Sequence, residues 1–297
     1  MDPAAGFPPA LRDRPFRVRA ALAEGASWGV VRDLSNPFHG VRTTAPPPER
    51  LVDRALALQT VFRPGEVFSH LTAARLLGMR VPEGRSERRL DVTMIGDKRA
   101  MRRPGVNGHV ARTPRRTIRT GAGLLVTDPV ETWVDLAMEA AVDELVAIAD
   151  GLIARRDPMA TWSELEAAAR SGRPRSAALR EALAWARPGT DSWRETMLRL
   201  ALVRRGLPEP EINGPIHDGA GRVIAHGDLV WRSERTVVEY EGRQHWDDEH
   251  QFSIDIGRIN RITALGWRHI RVDKVLLAAP DALAADVLDA LASRRVA

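Results

Sequence analysis

From residue 192 onward the chain alternates between two hydrophobic periods in an order that few architectures satisfy. Residues 192–205 repeat at helical spacing and stop at Gly206. Three runs with the two-residue period of strands follow, 211–216, 223–231 and 236–241, the first turn being Asp218-Gly219-Ala220-Gly221. A helical stretch over 248–264 ends at Gly266, a strand covers 267–272 and a helix covers 281–293. The order αβββαβα predicts an α/β unit.

With 297 residues, the chain exceeds what one core usually organises. Residues 1–48, rich in Pro, Gly and Arg, read as an irregular amino-terminal arm. Helices are expected at 48–58 and at 67–78, the second capped by Ser69 and stopped at Gly78. Short strands at 90–95 and 106–111 flank the basic segment 98–103. Further helices are expected over 129–138, 141–155 and 161–169, with Ser163 and Glu166 as capping candidates for the last. Gly172-Arg173-Pro174 and Arg187-Pro188-Gly189 bracket one more helix and break the chain. The expected division is therefore a mostly helical α+β domain over 49–188 and a second domain over 189–297.

Cysteine is absent, which excludes disulfide frameworks, thiol nucleophiles and cysteine-ligated zinc and fits a cytoplasmic location. Neither a signal-peptide pattern nor a stretch apolar enough to span a bilayer occurs, so no membrane association is expected. The net charge of +5 leans toward a polyanionic partner. Lysine, however, occurs only at 98 and 274 while arginine abounds, so part of that basicity is compositional.

Chemistry concentrates in Thr236-Val237-Val238-Glu239-Tyr240-Glu241. The strand period puts Glu239 and Glu241 on one face and Val238 and Tyr240 on the other. If the preceding strand returns through a turn centred on Ser233-Glu234, Asp228 falls opposite Glu239 with Cβ atoms roughly 5 Å apart. Like charges held that close on a sheet need an offset, and a divalent cation supplies it; a solvated acidic face is the ordinary alternative. Glu195 adds a carboxylate from the preceding helix, where a first-turn acid is also favoured by the helix dipole. His245, just past the strand, could position water or contact phosphate. Arg243, Arg258 and Arg261 could clamp phosphate oxygens, though each also suits a solvated face.

Glu195, Asp228, the segment Val237-Val238-Glu239-Tyr240-Glu241-Gly242-Arg243-Gln244-His245, Phe252-Ser253-Ile254-Asp255-Ile256-Gly257-Arg258 and Leu265-Gly266-Trp267-Arg268-His269-Ile270-Arg271-Val272 together resemble the very-short-patch-repair (Vsr)-like family of PD-(D/E)XK nuclease domains, in the restriction-endonuclease-like superfamily. The resemblance covers roughly residues 191–291 and implies a restriction-endonuclease-like αβββαβ core around a mixed sheet. It implies metal binding by Asp228 and Glu239, an auxiliary acid at Glu195, and Mg²⁺ or Mn²⁺ as cofactor. At the third motif place, where the superfamily carries lysine, this chain has Glu241. More loosely, Ser69-His70-Leu71-Thr72-Ala73-Ala74, Asp91-Val92-Thr93, Arg102-Arg103-Pro104-Gly105 and the segment 126–137 resemble AbiEi-type antitoxins of type IV toxin–antitoxin systems.

Three functions follow as expectations. One is a metal-dependent DNA endonuclease acting in repair or phage defence, with Glu241 or His245 orienting the attacking water. Another is a non-catalytic DNA-binding regulator or antitoxin built on the nuclease scaffold. The third is an interaction module of a defence system, working as a homodimer or with a partner protein.

Overall fold

The computed structural model describes residues 11, 14–82, 84–85, 88–218, 220–241 and 249–295. These divide into two compact units, one ending at Glu139 and one beginning at Ala140. Each combines helices with a sheet, and the fold is mixed α/β.

The amino-terminal unit opens with β1 (Phe16–Arg17), α1 (Val18–Ala23), α2 (Trp28–Arg32) and β2 (Val41–Arg42). β1 and β2 pair antiparallel, and Leu11, Phe16, Ala21 and Val31 close a small apolar cluster. The described part of 1–48 thus holds two short helices and a strand pair, where an irregular arm was expected. Its elements are too short to show a period, yet they bury side chains together. Then come α3 (Leu51–Gln59), β3 (Glu66–Phe68), α4 (His70–Leu76), β4 (Leu90–Ile95), β5 (Val106–Ala111), β6 (Thr117–Arg119), β7 (Leu125–Thr127) and α5 (Pro129–Leu136). Among the described residues five strands form a sheet in the order β5-β4-β3-β7-β6. The pairs β4·β5 and β3·β7 are parallel, while β3·β4 and β6·β7 are antiparallel. Leu58, Phe68, Ala73, Leu90, Val92, Leu124 and Val126 pack as its core. The helix expected over 67–78 is divided: Val67 and Phe68 complete β3, because they pair with β4 and β7 partners far along the chain. α4 begins only after Ser69.

The carboxy-terminal unit comprises α6 (Val142–Leu152), α7 (Trp162–Ala169), α8 (Ser176–Trp185), α9 (Trp193–Val203), β8 (Glu211–His217), β9 (Val223–Trp231), β10 (Thr236–Tyr240), α10 (Glu249–Ala264), β11 (Arg268–Val272), α11 (Lys274–Leu277) and α12 (Pro280–Arg295). Its sheet has the order β11-β10-β9-β8, parallel between β10 and β11 and antiparallel elsewhere, hence mixed. Strand alternation splits the apolar residues between two layers. Leu229, Trp231 and Val238 join Leu198, Leu202, Val272, Leu283 and Val287 on one side, whereas Val230 and Val237 join Ile216, Ile262 and Trp267 on the other.

The boundary falls at 139/140 rather than the expected 188/189. Asp150 on α6 and Arg199 on α9 are both fully buried and meet at 3.1 Å. Thr196 Oγ1–H and the Arg187 backbone N–H also donate to Asp150, at 2.9 and 2.6 Å, and Arg199 donates to the Trp185 carbonyl at 2.8 Å. This network binds α6 and α8 to α9, so the Pro-Gly break at 187–189 is a turn inside the unit. At α7 the capping box is Thr161 with Glu164 rather than Ser163 and Glu166. No helix among the described residues is long and apolar enough to cross a membrane.

Candidate functional site

The hairpin of β9 and β10 builds the site. Trp231 pairs with Thr236, Val230 with Val237 and Leu229 with Val238, a register that carries Asp228 opposite Glu239. Tyr240 N–H donates to Asp228 Oδ2 at 2.8 Å and holds that carboxylate at the strand edge. A glycine is required just before it. A Cβ at Gly227 would lie 2.2 Å from Val237 Cγ2, inside the apolar layer that supports Glu239. On the other flank β8 places Asn213 between Ile212 and Gly214, which pair with Leu229 and Gly227, and so opposite Asp228.

Glu195 reaches this group from the first turn of α9. Ser192 Oγ caps the helix by accepting from Glu195 N–H at 3.1 Å. The Glu195 carboxylate accepts from Asp191 N–H at 2.7 Å and from Asn213 Nδ2 at 3.1 Å. It is therefore a capping acid and a member of the acidic group at once. Burial, then the negative charge of Glu195 and, after the opposing Tyr240 hydrogen bond, that of Glu239, push the Asp228 carboxyl up to about 7.

Glu239 is offset differently. Arg258 of α10 donates from Nη1 and Nη2 to its two oxygens at 2.8 and 2.9 Å, and His269 Nε2 on β11 lies 2.7 Å from Oε2. Burial alone would raise this carboxyl. The hydrogen bonds of His269 and Arg258, with the Arg258 charge, bring it net below the ordinary glutamate value. Arg258, expected as a phosphate clamp, is thus the bidentate partner of Glu239. Glu241 shares the Glu239 face but ion-pairs with Arg271, so orienting water would require it to leave that partner. Arg261 is exposed on α10. Arg243 and His245 lie outside the described residues.

Asp228, Glu239 and Glu195 are therefore brought together as the residue pattern implied, while Asn213 and His269 belong to the group without having been singled out. Strand alternation could have flagged His269, which pairs with Val237 and stands on the Glu239 face, had the β10·β11 pairing been known. Two carboxylates on adjacent strands form an oxygen donor set of the kind Mg²⁺ and Mn²⁺ accept. Among the described residues the metal-ligating side chains that converge within 4.8 Å are His70, His109 and Glu139 of the other unit, so the carboxy-terminal acids form a more open group.

No family model matches the chain. Two Mycobacterium tuberculosis proteins, "Uncharacterized protein Rv2248" (strain ATCC 25618 / H37Rv) and "Uncharacterized protein MT2308" (strain CDC 1551 / Oshkosh), are each 31% identical to it over 237 residues, covering 79% of this chain and 83% of the relative. Among solved structures, the crystal structure of RV2827C protein from Mycobacterium tuberculosis aligns with a TM-score of 0.39 and 16% identity over 69% of this chain and 84% of that one. That likeness is too loose to bear on function.

Proposed function

The chain belongs to the same family as the two Mycobacterium tuberculosis relatives, and for it we propose a metal-dependent DNA endonuclease of the PD-(D/E)XK type acting in the cytoplasm. The observation that carries this reading is the placement of Asp228 opposite Glu239 across the β9·β10 hairpin, with Glu195 adding its charge. Burial first, and then the charges of Glu195 and Glu239, push Asp228 up to about 7, and a divalent cation would offset both.

Asp228 and Glu239 would hold Mg²⁺ or Mn²⁺. Bound there, the ion supplies a lowered pKa for a coordinated water and Lewis-acid stabilisation of the phosphate. Tyr240 N–H fixes the Asp228 carboxylate, and Asn213 fixes Glu195 beside it. Arg258 keeps positive charge next to Glu239, with His269 hydrogen-bonded beside it, in a chain whose third motif position is an acid. Were Glu239 to turn to a cation, the Arg258 guanidinium paired with it would become available to a phosphate, the role expected of it from the sequence.

Saturation of Glu239 by Arg258 and His269, and of Glu241 by Arg271, favours a second reading, a non-catalytic DNA-binding regulator, antitoxin or defence-system interaction module on the same scaffold. Purified protein incubated with plasmid and linear DNA in Mg²⁺, Mn²⁺ or EDTA separates the two. Metal-dependent cleavage that Asp228→Asn abolishes supports the nuclease. DNA binding without cleavage in either metal supports the scaffold.

A further inference from the structure

We propose that the amino-terminal unit carries a separate metal site, in which His70, His109 and Glu139 take a divalent ion of the zinc class. The three come from distant parts of the chain: His70 opens α4, His109 lies in β5, and Glu139 follows α5. One ligand atom from each lies within 4.8 Å of the others, and the group grades from buried His70 through part-buried His109 to exposed Glu139. Two imidazoles and one carboxylate form a donor set that suits Zn²⁺, leaving a fourth position open toward solvent. Mg²⁺, which prefers oxygen throughout, is a poor match for it.

The surroundings of the two rings strengthen the assignment. Metal-bound histidines commonly engage their second ring nitrogen with a carboxylate or other polar group, which orients the ring. His109 Nε2 lies 3.2 Å from Asp91 Oδ1, and His70 Nδ1 lies 3.0 Å from Ser69 Oγ, so each ring keeps its other nitrogen for an ion. Asp91 is itself buried and fixed, accepting from Asn107 Nδ2 at 3.1 Å and Thr72 Oγ1 at 3.2 Å. Ser69 Oγ accepts from Thr93 Oγ1 at 2.7 Å. The parallel register explains the convergence: Asp91 pairs with Asn107 and Thr93 with His109, so all four side chains project from one face of β4 and β5.

His70 is also held at φ 48°, a left-handed conformation unusual for a side chain of its size, and such strain persists where the surroundings demand it. Arg115 carries the cationic charge that reaches His70, and it is paired with Glu131 and Asp135 at 3.5 Å. The imidazoles stack with centroids 3.8 Å apart and planes 16° from parallel. A shared ion would draw the two free ring nitrogens together out of this stack, with Glu139 as the third ligand.

The test is equilibrium dialysis of the full chain against Zn²⁺, with Co²⁺ as an optical probe, for wild type, His109→Gln, Glu139→Gln and Asp228→Asn. Expected are one tightly held Zn²⁺ per chain and a Co²⁺ visible spectrum of four-coordinate type. His109→Gln should weaken binding by at least about 100-fold, beyond the 10–100-fold typical of losing an outer-shell partner. Glu139→Gln should weaken it less, and Asp228→Asn should leave it intact, which separates this site from the nuclease reading. His109 and Glu139 retain solvent exposure, so their variants are expected to fold, with circular dichroism as the check. Folded wild type that holds no Zn²⁺, Zn²⁺ held equally by His109→Gln, or Zn²⁺ lost in Asp228→Asn would each overturn the proposal.

Discussion

Replacing Asp228 by asparagine removes a carboxylate whose value is raised from 3.8 to about 7 by burial and by the neighbouring charges of Glu195 and Glu239. Because the folded value lies above the unfolded one, the folded chain binds the extra proton between those limits. Stability is then fully present below about pH 4 and declines as pH rises through about 7. Taken at face value a shift of this size corresponds to roughly 4 kcal/mol. Partial exposure of the side chain lets solvent screen it, and about 2 kcal/mol is the working figure. Asparagine mimics the protonated acid and can still accept from Tyr240 N–H, so it should match wild type near pH 4.5 and exceed it by about 2 kcal/mol near pH 8 in EDTA. Thermal melts at both pH values read this as a gain of roughly 4–8 °C for a unit of this size. Mg²⁺ should then stabilise wild type and leave the variant unchanged. An Asp228→Asn variant less stable than wild type at pH 8 in EDTA would refute the reasoning, since the carboxylate would then be compensated within the fold.

Glu239→Gln should act in the opposite direction. It strips Arg258 and His269 of their shared carboxylate and should cost about 1–3 kcal/mol in the same melts. Arg199→Met leaves Asp150 buried without its countercharge and should cost about 3–5 kcal/mol by urea denaturation, part of which the double variant with Asp150→Asn recovers. Gly227→Ala drives a methyl into Val237 and should cost about 1–3 kcal/mol, relieved when Val237→Ala is added.

What the sequence makes legible is local. Each strand from β8 to β11 alternates cleanly enough to be placed, and the short turn between β9 and β10 fixes one register, so the approach of Asp228 to Glu239 can be derived before any coordinates. The partners of Glu239 are another matter. Arg258 arrives from α10 and His269 from a parallel crossover, and nothing in the spacing of either residue announces a carboxylate partner. Val67 and Phe68 are hidden likewise: their strand character comes from β4 and β7, while the residues after them continue with helical spacing. His70 sits in a segment quoted for its likeness to antitoxins, and His109 in the short strand expected over 106–111. Their meeting depends on how α4 lies against β4 and β5.

The burial of Arg199 against Asp150 also bears on how such a chain can be assembled by gene rearrangement. A recombination joint at residue 188 would deliver α9 to a new host with Arg199 parted from the buried Asp150 and left with the part-exposed Glu209, at a cost to the stability of the αβββαβα segment. A joint near 140 transfers both halves of the pair. The inheritable module is therefore longer than its chemistry suggests, and relatives that share the acidic hairpin are expected to carry along a helical preface equivalent to α6–α8.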